Sequence, residues 1–270
     1  MRLLERAWRS LFAAHPPPWV RPVRLKVERV IGRGNPLTGR RMETDMTCFT
    51  SDAANAAPRN CILQGDCIDL MRALPAGSAD FILTDPPYIA RFRDRQGRTV
   101  ANDDNGRWLV PAVREMHRVL KPGGFCVSFY GWSHVDRFVQ AWRGAGFRIV
   151  GHIVFRKRYA SSTRFLSYEH EQAYLLAKGD VCPPEKPIPD VIDFPYTGNR
   201  LHPTQKPVRA LMPLIECFSK PGELVLDPFC GSGSTLVAAR NLGRDWLGCE
   251  LSAEHHATAT QRLSGAQRVA

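Results

Sequence analysis

The chain has 270 residues, 44% apolar and 23% charged, with 37 Lys and Arg against 26 Asp and Glu for a formal net charge of +11. These values describe an ordinary globular chain of one large or two small domains, with a core that needs no staples. No apolar run approaches the roughly 18–20 residues that span a bilayer, so no membrane partner is expected, and the positive excess suits a polyanion such as nucleic acid.

The first element in chain order is a short amphipathic stretch, "MRLLERAWRSLFAA", with Leu3, Leu4, Ala7, Trp8 and Leu11 on one face. It lacks the uninterrupted apolar segment of a signal peptide and reads as a terminal docking helix. Residues 15–57 follow as an arm rich in Pro, Gly, Arg and small polar residues. Residues 1–45 carry ten Lys and Arg against four acids. Residues 1–57 are therefore read as a flexible basic extension and residues 58–270 as the folded domain.

From Asn60 onward short apolar runs alternate with helix-like stretches. The strand candidates are residues 61–65, 80–85, 124–130, 148–155, 171–178, 223–227 and 245–250. Helix candidates are "WLVPAVREMHRVL", which "KPGG" should stop, then "VDRFVQAWRGAG", "PVRALMPLIECF" and "STLVAARNLG". Such alternation predicts an α/β fold, a largely parallel sheet covered on both faces, with ligands at the carboxyl ends of its strands. Residues 89–107, with five Arg, and a second stretch over about 156–201 read as insertions. The eight cysteines form no C-x-x-C pair and the eight histidines show no ligand spacing, so neither disulfides nor a metal site is expected.

Two constellations carry chemistry. In "FILTDPPY" an apolar run ends on Asp85-Pro86-Pro87-Tyr88. Neither proline can donate to a ladder, so the strand stops there, and both fix φ to give a rigid turn. In "LVLDPFCGSGSTLVAA" a strand ends on Asp227, and Gly231 and Gly233 let backbone N–H groups approach a ligand at a helix start. Leu236 stands where a dinucleotide fingerprint needs its third glycine, which disfavours a nicotinamide dehydrogenase. Glu250 closes the next strand, where an acid can bind ribose hydroxyls. Upstream, in "HPTQKP", Thr204 is a candidate N-cap, and a lysine at position 206 near a helix start makes best sense if it meets an anion.

"TDPPY", "HPTQKP" and "LDPFCGSGST", in that order, resemble the amino-methylating DNA methyltransferases of the β arrangement. The resemblance covers roughly residues 60–263. It implies a Rossmann-like, S-adenosylmethionine-dependent fold: a circularly permuted, seven-stranded, mostly parallel sheet. Asp227, Phe229, Gly231, Ser232 and Gly233 would belong to the cofactor loop, with Glu250 on the ribose and Asp66 on the adenine. Thr204 and Lys206 would lie near the methionine end. Asp85 and the Pro86 carbonyl would accept the two protons of an exocyclic amine, with Pro87 stiffening the turn and Tyr88 stacking on a flipped base.

Aspartate at position 85 resembles the adenine-N6 members; cytosine-N4 methylation and a catalytically idle DNA-binding regulator are the alternatives. No Pro-Cys motif is present, which argues against carbon-5 methylation. Arg91, Arg93, Arg95 and Arg98 are expected to contact double-stranded DNA. A cytoplasmic, nucleoid-associated location follows from a DNA substrate, and a homodimer is left open.

Overall fold

The computed structural model describes residues 27–29, 56–93, 97, 99–160, 165–198, 201–202 and 204–265. The seven expected strands are present as β2 (Cys61–Gln64), β3 (Ala79–Thr84), β4 (Leu120–Phe129), β5 (Phe147–Arg156), β6 (His170–Lys178), β8 (Leu224–Asp227) and β9 (Asp245–Glu250). Two three-residue edge strands, β1 (Val27–Arg29) and β7 (Val191–Asp193), extend them to a nine-stranded sheet in the order β1-β2-β9-β8-β3-β4-β6-β5-β7. Strand β1 pairs antiparallel with β2, so this part of the expected 1–57 extension joins the sheet. Strands β2, β9, β8, β3 and β4 run parallel. Strand β6 is antiparallel to both β4 and β5.

Alternation along the strands sorts side chains onto two faces. Ile82 points into one core with Leu70, Met116, Phe138 and Trp142, under helices α1 (Cys67–Arg72), α2 (Leu109–Val119) and α3 (Val135–Ala145). Phe81 and Leu83 point into the other with Leu214, Leu236 and Leu263, under α4 (Val208–Phe218), α5 (Ser234–Asn241) and α6 (Ala253–Ser264). Each long helix buries one stripe, as Ala112, Val113, Met116 and Val119 do on α2. Helix α5 is the exception, with six successive buried residues, because it lies over the centre of the sheet.

Helix α2 ends at Val119, directly before "KPGG", as expected, and Lys121–Gly124 then lies in a register shift of β4 against β3. The end of α2 is also held by Lys178, whose Nζ donates to the His117 and Leu120 carbonyls at 2.6 Å each. One sequence expectation is corrected: residues 156–201 are no mere insertion, since β6 and β7 within them belong to the main sheet.

The late strand β8 lies between β9 and β3, near the centre of the sheet. That permuted order sets the loop after β8 beside the turn after β3, at the carboxyl ends of parallel neighbours.

Candidate active site

A cavity of about 880 Å³ opens at that edge. It is lined by Asp85, Pro86, Pro87 and Tyr88 from the turn after β3, and by Asp227, Phe229, Gly231 and Ser232 from the loop after β8. Asp66, Glu250, Thr204 and Lys206 complete its walls, so most of the sequence-selected residues converge on one space. Gly233 does not line it; it is the left-handed N-cap of α5, with φ +78°.

The glycine-loop side is built from backbone groups held by carboxylates. Gly231, at φ +50°, donates its N–H to Glu250 Oε2 at 2.9 Å, and Ser252 N–H donates to Oε1 at 2.8 Å. Glu250 thus shapes the loop while facing the cavity. Asp66 caps α1, accepting from Ile68 N–H at 2.8 Å, and also lines the cavity. Asp227 is buried and ties the two loops together, accepting from the Thr84 hydroxyl at 2.9 Å and from Phe229 N–H at 3.1 Å. Burial pushes its carboxyl up to about 7. Thr204 is not the helix cap expected of it: Pro207 occupies that position, and the Thr204 hydroxyl pairs with His202 Nδ1 at 3.1 Å.

The opposite wall is a chain of charges. Lys206 Nζ lies 2.7 Å from Asp85 Oδ2 and 2.9 Å from Glu171 Oε2. The other oxygen of Glu171 lies 2.8 Å from Lys157 Nζ. Both lysine side chains are under 8% exposed, and those of Asp85 and Glu171 are about one-fifth exposed. The Tyr88 hydroxyl donates to Asp85 Oδ1 at 2.8 Å, and Lys206 also sits 4.9 Å from the centroid of the Phe129 ring. The anion that Lys206 meets is therefore the protein's own carboxylate pair.

Burial raises the Asp85 carboxyl, Lys206 pulls it back and Glu171 raises it again, leaving it above the ordinary range. Burial also raises Glu171, but Lys206 and Lys157 outweigh that and hold it down to about 2. The Lys206 ammonium is stabilised against burial by both acids. Tyr88 stays a phenol, pushed well up by burial and by the two carboxylates.

The sequence alone places Glu171 and Lys157 in the second insertion, read as contributing to target recognition, and gives neither a place in this site. Both reach the site because β6 runs antiparallel to β4, with Phe129 opposite Ala173 and Phe155 opposite Glu171. The amino end of β6 therefore meets the carboxyl ends of β4 and β5. In the sequence, Glu171 is visible just as an acid at the start of an apolar strand.

The stretch after Tyr88 is held by a residue also missed. Asp103, 3% exposed, accepts from Ala90 N–H at 3.2 Å and Phe92 N–H at 2.6 Å. It fixes a segment in which Ile89 takes φ +61°, a costly value for a β-branched residue. Trp108 packs edge-on to Phe229 at 5.1 Å and joins this segment to the glycine loop. Arg91 and Arg93 are exposed and outside the main cavity; Arg91 lines a neighbouring crevice with Ser133, His134 and Arg137. Arg95 and Arg98 lie outside the described residues.

Comparison with known proteins adds four findings. The family model described as DNA methylase, of the N6 and N4 type, matches residues 79–196 and 184–261. YubD of Escherichia coli (strain K12), which bears a methylase name, is 55% identical over 206 residues, covering 76% of this chain and 91% of its own. Among solved structures, M1.HpyAVI in complex with SAM is similar with a TM-score of 0.61 at 24% identity, over 75% of this chain and 98% of that one. The cytosine-N4-specific PvuII DNA methyltransferase is similar with a TM-score of 0.63 at 16% identity, over 80% and 89%.

Proposed function

From the premise that the chain belongs to the N6/N4 DNA methylase family, we propose that it methylates the exocyclic N6 amine of adenine in double-stranded DNA. Its coarser activity, S-adenosylmethionine-dependent DNA methylation, comes with the family and the fold. The donor set fits that cofactor. A glycine loop with φ +50° at Gly231 offers close backbone approach, the Phe229 ring offers an apolar wall, and Asp66 and Glu250 offer acceptors for hydroxyl and amino groups.

The observation that carries the reading is Asp85, an acid ending a buried strand on a doubly proline-locked turn inside the same cavity as that loop. An exocyclic amine is a poor nucleophile because its lone pair is delocalised into the ring. Asp85 Oδ1 and the Pro86 carbonyl accept its two N–H protons, favouring a tetrahedral nitrogen with a localised lone pair. The target amine takes the place of the Tyr88 hydroxyl on Oδ1, which frees Tyr88 to stack on the extruded base. The cofactor supplies the electrophilic methyl group. Asp85 Oδ1 receives the proton that the methylated nitrogen then loses. Exposed Arg91 and Arg93 beside the turn serve the DNA backbone or base edges. Because its substrate is DNA, the protein works at the nucleoid.

The test is mass spectrometry of nucleosides from DNA treated with the purified chain and S-adenosylmethionine. N6-methyladenine is expected, and its loss in Asp85→Ala. N4-methylcytosine would overturn the base assignment, and no methylated nucleoside at all would favour an idle DNA-binding regulator.

A further inference from the structure

Glu171 has no part in that chemistry, although it is the acid most heavily invested in the site. Between them, Asp85, Lys206, Glu171 and Lys157 form one continuous chain at 2.7, 2.9 and 2.8 Å, with two charges of each sign. Tyr88 is the other titratable group inside it, 2.8 Å from Asp85 and 3.4 Å from Glu171, and the Tyr159 ring lies 5.8 Å from Lys157.

We infer that Glu171 is a positioning residue for methyl transfer: by neutralising Lys206 and Lys157 it lets positive charge develop on the amine that Asp85 holds. The inference rests on the role given to Asp85 above. As the nitrogen takes the methyl group it becomes cationic, and an unbalanced ammonium one residue away opposes that change. Without Glu171 the cluster carries a net positive charge, and Lys206 has Asp85 as its one carboxylate. Lys206 would then draw the carboxylate charge toward Oδ2 and weaken Oδ1 as the amine's acceptor. With Glu171 in place Lys206 is shared between two acids and the cluster is neutral. A purely structural role for Glu171, satisfying two buried ammoniums, makes a different prediction when the partner charge is also removed.

Single-turnover methyl transfer at saturating cofactor is compared for the wild type, Glu171→Gln and the double variant Lys157→Met/Glu171→Gln. The Asp85 carboxyl is titrated in parallel by isotope-edited infrared spectroscopy of the cofactor-free proteins, assigned with Asp85→Asn. We expect Glu171→Gln to be roughly 10- to 100-fold slower, with unchanged cofactor affinity and Asp85 titrating at lower pH. The double variant restores neutrality and recovers most of the rate, with Asp85 titrating at higher pH than in Glu171→Gln. A wild-type rate in Glu171→Gln, or a double variant no faster than the single, overturns the inference. Lys157→Met alone keeps the test open if Glu171→Gln does not fold: Asp85 should titrate at higher pH than in the wild type, and an unmoved titration overturns the inference. The nucleoside made by the wild type and the Asp85→Ala result judge the proposed function separately, since the charge series reads whichever amine is methylated.

Discussion

The ammonium of Lys206, just ahead of α4, lies 2.7 Å from Asp85 Oδ2 at the end of β3. In this pair Lys206 offsets the burial that would otherwise push the Asp85 carboxyl still higher. Removing the cation as Lys206→Met leaves Asp85 facing burial and Glu171 alone, both of which raise it. The acid limb of the methyl-transfer rate profile should move to higher pH, and the rate at pH 7 should fall about 10-fold or more. A limb that stays in place, or moves to lower pH, would show that Lys206 does not keep Asp85 ionised.

Gly131 follows β4 and backs directly onto the proline turn after β3. A methyl group there would stand 2.6 Å from the Tyr88 carbonyl oxygen and 2.8 Å from its Cβ. The obstacle is backbone, which cannot swing aside. Gly131→Ala is expected to destabilise the fold by about 1–3 kcal/mol and to abolish most methyl transfer, with cofactor affinity retained because the glycine loop lies across the cavity. Calorimetric cofactor titration alongside the methylation assay checks this, and undiminished turnover would refute it.

Asp103 holds the segment after Tyr88 through two backbone N–H groups while itself almost fully buried. Asp103→Ala leaves those donors without a partner, at a cost of about 1–3 kcal/mol. Amide exchange at Ala90 and Phe92 should accelerate, and DNA should bind more weakly while the cofactor binds as before. Unaltered exchange at those two amides would count against Asp103 as the anchor.

Asp227 gives a pH signature. Burial lifts its carboxyl from 3.8 to about 7 despite hydrogen bonds from the Thr235 and Thr84 hydroxyls and Phe229 N–H. A folded value above the unfolded one means that its contribution is fully present below 3.8 and is lost as pH rises through 7. Asp227→Asn, neutral throughout, should therefore gain on the wild type between pH 4 and 8, by on the order of 4 kcal/mol. Urea unfolding of both proteins across that range measures the gap; a gap that closes with rising pH contradicts the assignment.

Much of this protein was legible in its sequence because it is local. The run at residues 245–250 is a strand with those same bounds, the apolar stripe of α2 follows helical spacing, and the proline turn ends β3 for reasons confined to a few residues. The candidate site residues chosen from the three motifs also meet in one cavity, apart from Gly233, which caps α5 instead. Local signals misled at Thr204, where Pro207 takes the N-cap position of α4 instead.

What only the tertiary structure decided is the charge that surrounds Asp85. Strand β6 could be read as a strand, but not as an antiparallel one, because direction is settled by its neighbours and not by its own alternation. That reversal carries Glu171 to the carboxyl edge of the sheet, beside Lys157 after β5 and Lys206 before α4. Residues far apart in the chain thereby share a desolvated pocket in which each carboxylate is kept charged by an ammonium. Sequence determined which residues reach the site through their own strands and turns; assembly of the sheet determined which opposite charges must be buried together there.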